Sequence, residues 1–187
     1  MLSITNIRRA TFAAIVGGLA ASTVAFAVPY VGGAPMYPTK NIVENAVNSK
    51  DHTTLVAAVK AAGLVDTLAS AGPFTVFAPV NNAFTKLPAG TVPTLLKPEN
   101  KGTLTKVLTY HVVAGKLTAS DLAAKVDAGG GKAMLKTVEG EDITVRRAGK
   151  NGLSVTDAKG GRARVTIADV LQSNGVIHVV DKVLLPN

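Results

Sequence analysis

Apolar positions recur at helical spacing in the first half of this chain and alternate or run together in the second. Asn41 is placed as an N-cap with Glu44 three residues on, the spacing of a capping box. Asp51 is placed to cap a second helix, whose Leu55, Val56, Val59 and Ala62 share one face and whose stop is Gly63. Leu64, Val65 and Leu68 continue as a short helical turn that Gly72-Pro73 ends. Residues 74–78 form a short apolar run before Pro79, the pattern of a buried strand. Short helices are predicted over 81–87, 91–96 and 99–108, the last leading to a strand over 110–113. Another helix starts at Ser120-Asp121-Leu122, and Gly129-Gly130-Gly131 reads as a loop.

From residue 133 the pattern is β-rich. Strands are predicted over 133–138, 141–147, 152–156, 162–169 and 175–184, with Glu139-Gly140 and Asn151-Gly152 as turn material. In the last strand Val176 and Val180 face one way and Ile177 and Val179 the other. A strand apolar on both faces belongs in the middle of a covered sheet. Helices first and strands later argue for an α+β fold rather than a doubly wound parallel sheet.

The first 39 residues read differently. Arg8 and Arg9 precede an apolar run over 10–27 that ends in Ala25-Phe26-Ala27, the pattern of a signal peptide cleaved after Ala27. Residues 28–39 hold Pro29, Pro35, Pro38 and Gly32-Gly33 and read as an extended tether. The folded domain is expected over 40–187. Composition supports a real core, at 47% hydrophobic and 17% charged residues. With aromatics at only 4%, that core is aliphatic. The absence of cysteine excludes disulfides, thiolate metal sites and cysteine nucleophiles. Without residues 1–27, 18 basic and 12 acidic side chains remain, a charge of +6. Such a charge suits contact with anionic wall polymers, polysaccharides or lipid head groups.

Three segments resemble the fasciclin (FAS1) family. The first is Thr75-Val76-Phe77-Ala78-Pro79-Val80-Asn81-Asn82-Ala83-Phe84. The second is the pair Tyr110-His111. The third is Asn174-Gly175-Val176-Ile177-His178-Val179-Val180-Asp181-Lys182-Val183-Leu184. The likeness covers roughly residues 40–186, a domain's length. It implies a β-sandwich or wedge packed with several short helices, secreted or periplasmic placement, and a role in adhesion or in binding surface, matrix or polysaccharide components. It implies no shared catalytic mechanism and no cofactor. Val80 departs from the family pattern, which has a small hydroxyl or amide residue there. Valine cannot cap a helix, so Asn81 is left to do so. Phe77, Pro79, Asn81, Phe84, Asn174, Gly175, His178 and Asp181 read as fold determinants.

The remaining chemistry is sparse. His178, between Ile177 and Val179, reads as a buried neutral histidine with a hydrogen-bond partner. His111 serves either adhesion, with Tyr110, or a structural tie to the Asn81-Asn82 turn. His52, at a helix start, is expected in solvent. No histidine pair has helical ligand spacing, so no metal site is expected. There is no G-x-S-x-G elbow, and Gly129-Gly130-Gly131-Lys132 lacks the rest of a phosphate loop. Arg146, Arg162 and Arg164 alternate with apolar residues. If their strands share a sheet, they cluster on one solvated face, with Arg147 and Lys150 nearby. That face is a candidate dock for an anionic polysaccharide or a peripheral membrane contact. Nucleic acid is not an expected partner. The expected protein is a monomeric, non-catalytic binding module. The competing reading is a small-ligand or metal-binding carrier, or an enzyme, with His111 or His178 beside a pocket.

Overall fold

A computed structural model describes residues 28–149 and 152–187. The leader expected over 1–27, its cleavage point, and Lys150 and Asn151 lie outside the described residues.

The segment expected to be a tether folds. Gly32 and Gly33 both take positive φ and turn the chain between β1 (Tyr30–Val31) and β2 (Ala34–Pro35). This hairpin buries Val31 and Met36. Counting prolines and glycines missed those two isolated apolar anchors. The buried amide of Asn45 holds the hairpin: its Oδ1 accepts from the Tyr37 N–H at 3.1 Å, and its Nδ2 donates to the Tyr37 carbonyl and to Gln172 Oε1.

Six α-helices and two strands follow. Helix α1 (Ile42–Ala46) carries the expected capping box, Asn41 Oδ1 accepting from the Glu44 N–H at 2.9 Å. Helix α2 (Thr53–Ala62) ends on left-handed Gly63 and buries Leu55, Ala58, Val59 and Ala62. Its start departs from expectation: Lys50–His52 is a 3-10 turn, and Asp51 caps nothing. Helix α3 (Val65–Ala69) precedes β3 (Phe74–Pro79). Helices α4 (Asn81–Thr85) and α5 (Thr91–Leu95) lead to α6 (Lys101–Tyr110) and β4 (Val112–Ala114). Tyr110 therefore ends a helix instead of opening a strand.

Helix α7 (Ala119–Ala128) starts at a second capping box, Thr118 with Asp121. Strands β5 (Ala133–Lys136), β6 (Asp142–Ala148), β7 (Gly152–Thr156), β8 (Arg162–Gln172) and β9 (Gly175–Val180) complete the chain. The expected strand over 175–184 stops at Val180, and Val183 and Leu184 are buried beyond it. The sheet order is β4-β3-β9-β8-β7-β6-β5, with β3 and β9 parallel and every other pair antiparallel. The Val138 N–H donates to the Val112 carbonyl at 2.7 Å and Val113 pairs with Thr137, so the two edges of the sheet meet.

Every residue of β9 is buried, as its two apolar faces require. It divides the interior in two. Ile177 and Val179 face a core under the helices, with Ile42, Leu55, Val59 and Val76. Val180 belongs to a core inside the rolled sheet, with Phe77, Ile143, Val145 and Val155, which Leu122 and Val126 of α7 plug. Strand β8 serves both cores. It bends at register shifts between Val165 and Val170, where Asp169 takes φ +57°. The architecture is α+β, as the pattern predicts, and has the wedge form that the family resemblance implies, with the sheet curled nearly shut.

Candidate functional site

The tyrosine–histidine pair is interior. Helix α6 delivers Tyr110 into the rolled-sheet core, where its hydroxyl donates to the Asp142 carbonyl at 3.1 Å and accepts from the Ala158 N–H at 2.9 Å. Burial pushes the phenol pKa up. His111 follows as the C-cap of α6. Its Nδ1 lies 2.8 Å from the Val107 carbonyl, and its Nε2 accepts from the Leu184 N–H at 2.9 Å. Only the neutral ring protonated at Nδ1 satisfies both. Burial lowers its pKa to about 4. The expected tie to the Asn81-Asn82 turn is not made; His111 holds the segment after β9 instead. Neither side chain offers a surface to a partner, because each has its polar atoms turned into the fold.

Asn81 does cap a helix, but not its own. Val80 occupies the N-cap of α4 and supplies no side-chain bond. The Asn81 Oδ1 accepts from the Thr54 N–H at 3.0 Å and from Thr53 Oγ1 at 3.2 Å, and its Nδ2 donates to the Lys50 carbonyl at 2.8 Å. It thereby satisfies the bare start of α2.

The other signature residues are structural in their contacts. Asn174 accepts from the Ile42 N–H and donates to the carbonyls of Leu68 and Ser70, joining α1 to α3. A Cβ on Gly175 would overlap the Phe74 carbonyl, so glycine allows the close approach of β3. Phe77 stacks on His178 with ring centroids 5.6 Å apart. His178 is fully buried, with Nε2 2.8 Å from the Leu117 carbonyl and Nδ1 3.4 Å from the Asp169 N–H, and burial lowers its pKa. Pro79 is buried at the end of β3, and Phe84 is half-buried between cores. The Asp181 Oδ1 accepts from the Arg164 N–H at 2.7 Å.

His52 departs furthest from expectation. It is 3% exposed, its Nδ1 lies 2.9 Å from Ser49 Oγ, and burial lowers its pKa. Sequence reasoning missed this Ser49–His52 pair. Its one signal was the three-residue spacing just ahead of α2, since the covering hairpin was read as a tether.

The arginines lie on the outside of the sheet. Arg146 stands opposite Ser154, and Ser154 opposite Arg164, so the two arginines share one row across β6, β7 and β8. At strand spacing they are about 10 Å apart. Arg162 lies two residues along on the same face, its Nε donating to Ser154 Oγ at 3.0 Å. All three are exposed, while Val145, Val155 and Ala163 point inward and are fully buried. Among the described residues none of the three forms an ion pair. Arg147 does not join them: it makes a bidentate bond to Asp127 of α7, at 2.9 and 2.5 Å. An open groove beside this face is lined by Arg162, Arg164, Ser154 and Asp181.

No described helix is long and apolar enough to cross a membrane. No group of three or more histidine or carboxylate side chains among the described residues converges as a metal site would need.

The comparisons with known proteins agree with this geometry. A family model described as Fasciclin domain matches residues 50–186. Protein sll1483 of Synechocystis sp. is 52% identical over 145 residues, covering 78% of this chain and 73% of that one. Immunogenic protein MPB70 of Mycobacterium bovis is 38% identical over 146 residues, covering 75% of this chain and 66% of that one. The solved structure of a FAS1 domain pair from the insect cell adhesion molecule fasciclin I superposes with a TM-score of 0.69 at 20% identity. It covers 78% of this chain and 51% of the other, and the likeness is one of fold. With its signature segments built into both cores, this chain belongs to the fasciclin-domain family.

Proposed function

We propose that the protein is an exported, non-catalytic binding module whose sheet face bearing Arg146, Arg162 and Arg164 docks an anionic polysaccharide at the cell surface or in its matrix. The observation that carries this reading is the strand register, which sets three guanidinium groups without acidic partners on one outer face. Arginine suits the task because its planar fork matches carboxylate and sulfate oxygens. The fasciclin family and the adhesion role named for fasciclin I support a binding function. The apolar leader over 1–27 and the +6 charge of the remainder support export and an anionic partner.

The test is retention on an immobilised acidic polysaccharide, with vesicles of anionic lipid as the second arm. The wild type is expected to bind the polysaccharide and elute with salt, since exposed pairs are screened within about 10 Å at 0.1 M ionic strength. The triple variant R146Q/R162Q/R164Q is expected to flow through. Unchanged retention of that variant sinks the assignment. Binding to vesicles alone would replace the polysaccharide by a lipid head group.

A further inference from the structure

Remote from the arginine face, the core beneath the helices contains a cavity of about 60 Å³ between α1, α2 and the sheet. Leu55, Val59, Val76 and Ile177 supply apolar wall. The lining residues that reach solvent are Val43 and Ala46 of α1, Val56 and Lys60 of α2, and Val65 of α3. These mark the mouth. It opens there because α1 packs on α3 and β9 while α2 packs on α6.

Besides Lys60 at the mouth, three polar side chains lie in this apolar wall: Ser49, His52 and His111, and both ring nitrogens of His111 are already bonded within the fold. The Ser49 hydroxyl has His52 Nδ1 as its acceptor at 2.9 Å and no other among the described residues. The serine therefore donates, and the proton of the neutral imidazole sits on Nε2. That Nε2–H is buried and has no hydrogen-bond partner among the described residues. The Ala78 carbonyl is close enough to favour the charged ring but fails hydrogen-bond geometry. A buried unmade donor is costly, so an acceptor brought into the cavity recovers that cost. Water is a poor occupant, since it needs about two to four polar partners and finds one strong one here. The wall admits apolar carbon, and one oxygen must reach His52.

Size narrows the class further. An engineered apolar cavity of about 150 Å³ holds benzene. The 60 Å³ here fits a group of three or four heavy atoms, such as the CH₃–C=O end of a ketone. A longer chain would leave through the mouth, across Val43, Ala46 and Val56. We propose that this cavity is a binding site for an uncharged, single-chain apolar molecule that ends in a carbonyl, the carbonyl oxygen accepting from His52 Nε2–H.

The test titrates the purified protein with 2-octanone, and with n-octane as the same chain without the oxygen. The expected result is saturable one-to-one binding of the ketone, roughly tenfold tighter than the alkane, with a shift of the His52 ring nitrogens in long-range ¹H–¹⁵N spectra. His52→Leu is expected to erase the preference for the ketone. Ala46→Phe, at the mouth, is expected to block both probes. Absence of saturable binding, equal affinity for ketone and alkane, an unmoved His52 ring, or an undiminished preference in His52→Leu would each overturn the proposal. Should His52→Leu fail to fold, the ring shift in the wild type and the block in Ala46→Phe decide it.

Discussion

At the scale of single residues, the three histidines are acid-sensitive parts of the interior. His111 is held neutral with a pKa of about 4, whereas a histidine in an unfolded chain titrates near 6.5. Between those values the unfolded chain takes up a proton that the folded one does not. Stability therefore rises with pH across this window and is lost as pH falls from about 6.5 towards 4. One group shifted this far contributes about 3 kcal/mol. Burial lowers His52 and His178 in the same direction. Urea midpoints are expected to drop steeply from pH 7 to pH 5. In His111→Leu, stability at pH 7 should fall by about 2–4 kcal/mol, because the Val107 carbonyl and the Leu184 N–H lose their partner. The pH slope should flatten as well, and a slope equal to the wild type's would contradict this account. His178 was legible from its apolar neighbours on a central strand. His52 was not, because a histidine at a helix start is ordinarily wet, and only a distant segment decides otherwise.

Among elements, the informative failures are places where one segment completes another. The sequence pattern marks Asn81 as a cap, but the helix it caps begins 28 residues earlier, at Thr53. Local spacing carries no record of such a contact. Replacing Asn81 with Ala should cost about 1–2 kcal/mol in chemical denaturation. Most of that loss should appear as faster amide exchange at the start of α2 rather than in α4. The N-terminal hairpin is the second case. Met36 is 2% exposed, so Met36→Ala is expected to cost about 2–5 kcal/mol. A chain starting at Lys40 should be less stable than one starting at Val28. If residues 28–39 were a passive tether, removing them would leave the urea midpoint unchanged. The periodic helices, the capping box at Asn41 and the Gly63 stop were legible because each is written within a few residues of itself.

For the whole molecule, the division into two cores follows from β9, whose doubly apolar sequence was readable at once. The curling of the sheet was not, since it depends on the bulges of β8 and on the meeting of β4 with the segment after β5. The alternation of arginines foretold a shared face, and the register supplied the row. Both cores draw residues from β3 and from β9, whose paired positions are about 100 residues apart in the chain. A fragment over 28–174 is thus expected to show no cooperative unfolding transition by circular dichroism, and a sharp one would mean that one core stands without β9. Strand β9 follows the other described strands in the chain and contributes to both cores, so neither core can close until it has been synthesised. Until then the segments that precede it stay open and threadable. That is the condition a translocation channel for unfolded polypeptides demands.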